Sequence, residues 1–459
     1  MQDWIENVIE TVNGFVWGVP ALLLIAGTGL YLSFGTGFVQ LRQLGRALRS
    51  VLGKFFGKSG KEEGQVSPFQ AVCTALAATV GTGNIAGVAG ALALGGPGAI
   101  FWMWIAAFLG MAIKYAEVVL AVRFRQSDGQ EGYVGGPMYF IRNGLGKKWR
   151  PLAVVYCVFG VIAAFGVGNT TQVSAVVSSV NSALNFLHWD APGNSNFIIG
   201  AVMAALVAIV LLGGVKRIGA VAEFLVPFMS ISYILLCFGV FTVHFRQIPA
   251  AFAAIFQGAF SPRACTGGLI GSAFLVLRTG FSRGTFTNEA GMGTASIAHA
   301  AADTPHPAEQ GLFGIFEVFA DTIVICTMTA LVILCSGVPI PFGLETGAEL
   351  TASAFVETYG GWVTIFIAVA LICFAFATIL GWGLYGIRCA AFLFGSRGVR
   401  LFTVIHAATC IWGAVASPTL VWQLAEMVNG LMSIPNLLAV WLLCPVVFRL
   451  TKEWFGEKK

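Results

Sequence analysis

Charged residues are scarce in this sequence. Asp, Glu, Lys and Arg together make up 10% of its 459 residues, whereas soluble domains carry about 25%. Hydrophobic residues account for 57% of the chain, and its mean hydropathy is +0.83. One soluble core cannot bury that much apolar surface, so the composition excludes a soluble globular protein and predicts an all-α, polytopic membrane protein.

Histidine is also scarce, with five residues, and neither these nor the ten cysteines have the spacing of a metal site. The predicted outer loops lack paired cysteines, so we expect no disulfide framework. No phosphate-binding loop follows a strand, and no Ser-His-Asp motif is present. We therefore predict that the protein is not an enzyme and has no resident cofactor. The net charge of +5 follows from membrane topology and does not indicate nucleic-acid binding.

Apolar runs long enough to cross a bilayer are the main signal that is present. Eleven transmembrane helices are predicted, near 15–35, 67–92, 98–121, 151–185, 196–213, 218–243, 264–286, 311–336, 360–387, 401–416 and 420–448. Most of the 26 Lys and Arg residues fall in alternate connections and in the tail. By the positive-inside rule that side is cytoplasmic, which puts the N-terminus outside and the C-terminus inside.

The leader is acidic (Asp3, Glu6, Glu10) and does not resemble a signal peptide. The compact loops suggest a bacterial inner membrane, in which the chain would be multi-pass and surrounded by lipid. Nothing in the sequence indicates an oligomeric state.

Once the first span is set aside, the other ten divide into two sets of five. The predicted units are an extra N-terminal helix with a basic loop (1–66), two five-helix repeats (67–243 and 244–448) and a cytoplasmic tail (449–459). Since five is odd, the second repeat enters the membrane from the opposite side. This inverted layout is typical of secondary transporters.

The first span of each repeat is interrupted by glycine, with "GTGNIAG" at 81–87 and "TGGLIGS" at 266–272. A broken helix in a membrane exposes backbone N–H and C=O groups that can bind a carboxylate and a cation. The alternative is that these glycines only allow helices to pack closely. Thr82 and Asn84 lie between the glycines and need polar partners, which favours a binding site.

Four longer blocks resemble the alanine-or-glycine:cation symporter family. They are "GGPGAIFWMWIAAFLGM" (95–111), "SRGTFTNEAGMGTASIAHAAA" (282–302), "AFATILGWGLYG" (375–386) and "NGLMSIPNLLAVWLL" (429–443). The resemblance covers nearly the whole chain. It implies a LeuT-type 5+5 inverted repeat with two broken helices, which takes up alanine or glycine with Na⁺; some members of the family use H⁺.

The resemblance also implies site residues. The unwound substrate segment would be Thr82, Gly83 and Asn84, with Gln172 facing the amino acid and Trp382 bounding its side chain. Gly271 and Ser272, judged by their expected depth in the membrane, are predicted to form the remaining wall of the substrate site. The sodium ligands, by analogy with the fold, would be the carbonyls of Ala77, Val80 and Phe374 and the hydroxyl of Thr378. Position 377 is alanine, where such sites commonly have a second hydroxyl, which leaves the choice between Na⁺ and H⁺ open.

Acids within the spans are functional candidates. Lys114 and Glu117, at i and i+3, are expected to pair on one helix face. Glu317 and Asp321 are candidates for a latch with Arg278 or Arg283 at the inner side, and Glu426 for an outer gate. None of the acids is expected beside a broken helix, which favours Na⁺ over H⁺.

The sequence thus predicts a secondary active transporter that carries alanine or glycine into the cell with Na⁺. The alternatives are a proton-coupled transporter of small amino acids and, less favoured, a channel.

Overall fold

The computed structural model describes residues 9, 11–56, 66–127, 132–189, 192–261, 272–344, 346–416 and 418–456. Nearly all of this chain is helical. The α-helices are Val19–Gly35 (α1), Val39–Arg42 (α2), Leu44–Phe56 (α3), Pro68–Thr79 (α4), Ala86–Gly95 (α5), Gly98–Arg123 (α6), Pro137–Phe140 (α7), Arg150–Phe165 (α8), Thr171–Phe186 (α9), Ser195–Leu211 (α10), Gly214–Val243 (α11), Ile248–Phe260 (α12), Ala273–Asn288 (α13), Thr294–His299 (α14), Pro307–Val318 (α15), Thr327–Ser336 (α16), Ala348–Tyr359 (α17), Val363–Val415 (α18) and Pro418–Gly456 (α19). Two short antiparallel strands, Gln126–Ser127 (β1) and Tyr133–Val134 (β2), pair with Gln126 opposite Val134.

The membrane spans follow from helix length and hydropathy. Within the described ranges, seven helices are long and apolar enough to cross a bilayer, or eight if the bent pair α4–α5 counts as one span. Helix α10 is apolar but shorter. The predicted spans 360–387 and 401–416 both fall in α18, whose path is interrupted at Gly395 (φ 67°, ψ −158°). The count of eleven and the division into two repeats stay predictions.

Burial separates central from peripheral helices. Of the most apolar 18-residue stretch of α6, 89% is buried inside the protein, compared with 28% of the corresponding stretch of α11. Large apolar side chains on α11 lie open at the surface, with Phe224 75% and Leu235 65% exposed. Such a surface suits contact with lipid chains and not with water. Helix α6 is therefore central, and α11 faces the membrane.

A buried ionic group fixes α6 against α15. Lys114 Nζ lies 3.2 Å from Glu317 Oε1, and His299 Nε2 lies 3.2 Å from Glu317 Oε2; all three side chains are fully buried. The expected pair between Lys114 and Glu117 is therefore wrong. Helical spacing brings those two residues to one face, but tertiary packing supplies Lys114 with a carboxylate from another helix.

A second interrupted helix lies between α13 and α14. Helix α13 ends at Asn288, and α14 begins at Thr294. Between them Glu289 has φ 55°, while Gly291 and Gly293 have φ 94° and 74°. The interruption that the structure describes is thus near 289–293, whereas the predicted one at 266–272 lies, except for Ser272, outside the described residues. Gly271 lies outside the described residues. Ser272 is an exposed N-cap whose hydroxyl accepts from Leu275 N at 3.4 Å, so it is no wall of a central site.

Lys114→Met should destabilise the fold, because it leaves the Glu317 carboxylate buried without its cation. Breaking a buried pair in this way costs roughly 3–5 kcal/mol. We expect a clear fall in the unfolding temperature in detergent, partly recovered in the double variant Lys114→Met/Glu317→Leu. The exposed Lys148→Met is the control. Equal unfolding temperatures for all variants would contradict a stabilising role for the pair.

Candidate functional site

The first interruption is a short non-helical turn between α4 and α5. Val80 (φ −80°, ψ 91°) and Gly81 (φ −140°, ψ −155°) leave the α-helical path, a 3₁₀ turn covers Thr82–Asn84, and the two helical parts meet at a bend of 55°. The Gly81 N–H donates to Asn84 Oδ1 at 2.9 Å. In an unbroken helix that N–H would have bonded to the Ala77 carbonyl, so the turn releases that oxygen from the ladder.

Gln172 is attached to this turn. Its Oε1 accepts from the Thr82 hydroxyl at 2.8 Å and from the Thr82 N–H at 3.4 Å. Its Nε2 donates to the Val167 carbonyl at 3.0 Å, which fixes the orientation of the amide. Val167 belongs to a π-helical segment, Gly166–Thr170, immediately before α9. The structure thus brings together Thr82 and Gln172, which the resemblance had assigned to one site.

Asn84 reaches an acid. Its Nδ2 donates to Asp321 Oδ1 at 2.6 Å, and both side chains are fully buried. Asp321 lies in a second π-helical segment, Phe319–Cys326, between α15 and α16. The expectation that no acid lies beside a broken helix is therefore wrong, and so is the proposed inner latch with Arg283. That arginine lies in α13 and pairs with Glu426.

Thr378 lies where a cation ligand was expected. Its hydroxyl is buried and has no hydrogen-bond partner. The Oγ1 atom is so close to the Gly81 Cα that any Cβ there would overlap it. Phe374 lies one turn earlier on α18 and is buried, as are Ala77 and Val80. An unpaired hydroxyl against Gly81 and a carbonyl released from the same turn are the hard oxygens that Na⁺ prefers, so the residues present fit such an ion.

The remaining walls come from α13 and α18. A Cβ on Gly83 would meet Thr287 Cγ2 at 3.4 Å and Phe286 Cδ1 at 3.6 Å. Trp382 is 1% exposed and packs against Gly168 in the π-helical segment that precedes Gln172. Phe286 and Thr287 lie in the sequence block 282–302, but nothing in their local pattern indicates that they face Gly83.

The second interruption is held by a carboxylate and two asparagines. Glu117 Oε1 accepts from Gly291 N (3.0 Å), Gly293 N (3.1 Å) and Asn436 Nδ2 (2.6 Å). Asn288 Oδ1 accepts from Ala290 N at 2.9 Å. The backbone donors of this turn are therefore already occupied by protein groups. Glu117 was expected to pair with Lys114, and no local pattern around it indicates the role that it has.

A cavity of about 210 Å³ lies beyond the first interruption, against α5 and α9. The Arg283–Glu426 ion pair lines it, with Nη1 and Oε1 2.8 Å apart and side chains 13% and 20% exposed. Trp422 contacts two residues of α13. Its ring packs against that of Phe286 (centroids 5.4 Å apart), and the Arg283 guanidinium lies over it. The ion pair thus forms part of the wall of this cavity.

Known proteins identify the chain's family. The model of the sodium:alanine symporter family matches residues 2–459. The chain belongs to this family. It is 45% identical to the sodium/alanine symporter AgcS of Methanococcus maripaludis, over 99% of this chain and 98% of that protein. It is 37% identical to the Bacillus subtilis protein named "Probable sodium/glutamine symporter GlnT", over 100% and 92% of the two chains. As a member of this family, the chain is a multi-pass transporter and not an enzyme.

The fold of this symporter family member matches that of a solved transporter. The crystal structure of MhsT in complex with L-phenylalanine superposes with a TM-score of 0.57 at 14% identity, over 85% of this chain and 99% of that one. This likeness establishes the LeuT-type fold alone.

Gly81→Ala should disturb the first interruption, because the new methyl group would overlap the Thr378 hydroxyl. Overpacking of this kind costs roughly 1–3 kcal/mol. We expect a lower unfolding temperature, partly restored by adding Thr378→Ala. Gly87→Ala lies in the following helix α5, where the added Cβ would be 3.8 Å from its nearest neighbour; it is the matched control and should be neutral or stabilising. Equal stability of the Gly81 and Gly87 variants would refute the close contact.

Proposed function

We propose that this symporter family member couples uptake of a small neutral amino acid, alanine or glycine, to Na⁺. The observation that supports this most is the buried, unpaired Thr378 hydroxyl beside Gly81, next to a turn that has released the Ala77 carbonyl. A buried oxygen without a partner is unfavourable, and a bound Na⁺ would satisfy it.

Substrate would bind at the same turn. Its carboxylate would meet backbone donors near Gly83 and the start of α5, where the helix N-terminus favours an anion. Its ammonium group would meet Gln172 Oε1, which already accepts two hydrogen bonds from Thr82. Na⁺ at Ala77 and Thr378 would hold α4 against α18 and so complete the substrate pocket. This order makes substrate affinity depend on Na⁺.

The substrate is proposed to be small. Phe286 and Thr287 lie against Gly83, and Trp382 packs on the π-helical segment that precedes Gln172; in this proposal the three limit the space for a substrate side chain. AgcS, whose name gives alanine, is 45% identical, and the protein named for glutamine is 37% identical. We favour alanine or glycine over glutamine for this reason.

Proton coupling is the second candidate, and Asp321 beside the first interruption is the observation that favours it. A channel is disfavoured, because the polar side chains of the first turn, Thr82 and Asn84, are fully buried and bonded to other protein groups.

Uptake of labelled alanine and glycine into proteoliposomes tests the proposal. We expect accumulation against a concentration gradient when Na⁺ is imposed outside at constant pH. Accumulation driven only by a pH gradient would replace Na⁺ by H⁺. Uptake that merely equilibrates and does not saturate would indicate a channel. Absence of both uptake and binding would reject these substrates.

Thr378→Val should raise the Na⁺ concentration that gives half-maximal uptake. Valine keeps the volume beside Gly81 and removes one oxygen ligand, for which we expect about tenfold, equivalent to ~1.4 kcal/mol. Thr403→Val is the control, since that hydroxyl lies further along α18 and bonds the Val399 carbonyl at 2.9 Å. The same Na⁺ dependence in both variants would remove Thr378 from the cation site.

The proposed orientation in a cell membrane, with the N-terminus outside, puts the cavity on the outer face. Ser178 is exposed and lines this cavity, while Ser127 is exposed in the basic hairpin after α6. We expect a membrane-impermeant thiol reagent to label Ser178→Cys in intact cells and Ser127→Cys only in inside-out vesicles, each compared with the parent protein. The reverse pattern would invert the topology.

A further inference from the structure

Asp321 is connected to both interrupted helices. Its Oδ1 accepts from Asn84 Nδ2 at 2.6 Å, and its Oδ2 accepts from the Thr322 hydroxyl at 2.8 Å. The Thr322 hydroxyl in turn accepts from Asn288 Nδ2 at 3.0 Å. Every side chain in this chain of bonds is at most 1% exposed. One carboxylate is therefore the meeting point of two otherwise separate turns.

Asn84 and Asn288 have the same structural role. Asn84 Oδ1 accepts the Gly81 N–H in the first interruption, and Asn288 Oδ1 accepts the Ala290 N–H in the second. The NH₂ group of each asparagine donates toward Asp321. That of Asn84 donates to the carboxylate directly, whereas that of Asn288 donates to the Thr322 hydroxyl, which in turn donates to the carboxylate. A change at the carboxylate therefore reaches the backbone of the first turn through Asn84 alone, and that of the second turn through Thr322 and Asn288.

The charge of Asp321 has no cationic partner of its own. Among the described residues, no ion pair includes it. Lys114 on α6 acts on Asp321 electrostatically. Its ion pair, however, is with Glu317, one turn before Asp321, and Glu317 also bonds to His299. The other groups that face Asp321 are neutral: Thr287 on α13 and Cys326 on its own segment.

An ionised carboxylate at membrane depth is expensive unless a positive charge accompanies it. Two neutral donors reduce this cost without removing it. The π-helical segment that presents Asp321 is itself a rare form, found mostly at functional sites. A carboxylate placed in this way, bonded to both turns, suits a group that gains and loses a cation.

We propose that Asp321 binds a monovalent cation, H⁺ or Na⁺, and that this cation is carried together with the amino acid. This inference rests on the proposed symport and adds to the Thr378 site a second coupling group. With the cation present, the carboxylate is neutralised and both asparagines hold the turns in the arrangement that binds substrate. When the cation leaves, the bare buried carboxylate is unfavourable, which favours an arrangement that admits water to it.

Asp321→Asn tests this, because the amide keeps the shape and can still accept from Asn84. In proteoliposomes, we expect the positive charge moved per amino acid, obtained from the membrane potential that halts net uptake, to fall by one. Glu223→Gln is the matched control: it makes the same carboxylate-to-amide change at a side chain that bonds Gln70 near the start of α4 (2.8 Å). An unchanged charge ratio in an active Asp321→Asn protein would overturn the proposal.

Binding of ²²Na⁺ to purified protein, with no amino acid present, identifies the cation. Loss of one Na⁺ site per protein in Asp321→Asn assigns Na⁺. An unchanged Na⁺ count, with alanine binding that no longer depends on pH, assigns H⁺. If both the Na⁺ count and the pH dependence equal those of the wild type, Asp321 binds neither. Since the Na⁺ count needs no substrate, it stands even if the wild type transports neither alanine nor glycine, in which case the proposed function alone fails.

Thr322→Val covers the case in which Asp321→Asn does not fold. It keeps the carboxylate but removes the donor to Oδ2 and the link to Asn288. We therefore expect a several-fold change in the half-saturating Na⁺ concentration or, if the cation is H⁺, a shift in the pH midpoint of binding. Thr329→Val is its control, because that hydroxyl bonds Ile325 and Tyr233 and is absent from the chain of bonds described above. Identical binding curves for the two threonine variants would also overturn the proposal.

Discussion

Backbone N–H groups that a broken helix leaves unpaired must be satisfied inside the protein, because lipid offers no hydrogen-bond partners. Here side chains meet this demand at both interruptions. Asn84 accepts from Gly81, Asn288 from Ala290, and Glu117 from Gly291 and Gly293. Once these groups are in place, the neighbouring helices have little choice of position: α6 must present Glu117, and the segment after α15 must present Asp321.

The two interruptions are satisfied differently, and this divides their roles. Glu117 and Asn288 accept from the backbone N–H groups of the second turn, and Asn436 donates to Glu117 and to the Gly291 carbonyl, which fixes that turn to α6 and α19. At the first turn, the Ala77 carbonyl is released from the helix ladder, and the Thr378 hydroxyl on α18, which lies against Gly81, has no partner. The second turn thus provides a rigid frame, and the first has unused polar capacity for an ion and a substrate. The Lys114–Glu317–His299 group extends the frame toward α14 and α15.

The sequence was informative where the chemistry is local. Gly81, Thr82 and Asn84 lie within four positions, and a polar turn with glycines in an apolar span is typical of a broken helix. Most of the helical architecture follows from hydropathy for the same reason. The second turn was missed because "NEAGMG" is polar enough to look like a loop, and an apolar stretch with glycines upstream fitted the prediction better. Partners far apart in sequence were also missed, since Asn84 and Asp321 are separated by 237 positions. The prediction for Lys114 failed because i, i+3 spacing makes a pair available but does not decide between it and a partner from another helix.

Both side chains that hold the first turn come from helices that contain π-helical segments. Gln172 follows Gly166–Thr170, and Asp321 lies within Phe319–Cys326. A π-turn contains one residue more than an α-turn can accommodate. Conversion of such a segment to α-helix shifts the residues beyond it along the axis by about 1.5 Å and rotates them by about 100° per residue gained or lost. The two helices that bond to the first turn could therefore change register by one residue within these segments. Such a change would move Gln172 or Asp321 off its partner, while the rest of the helix stayed packed.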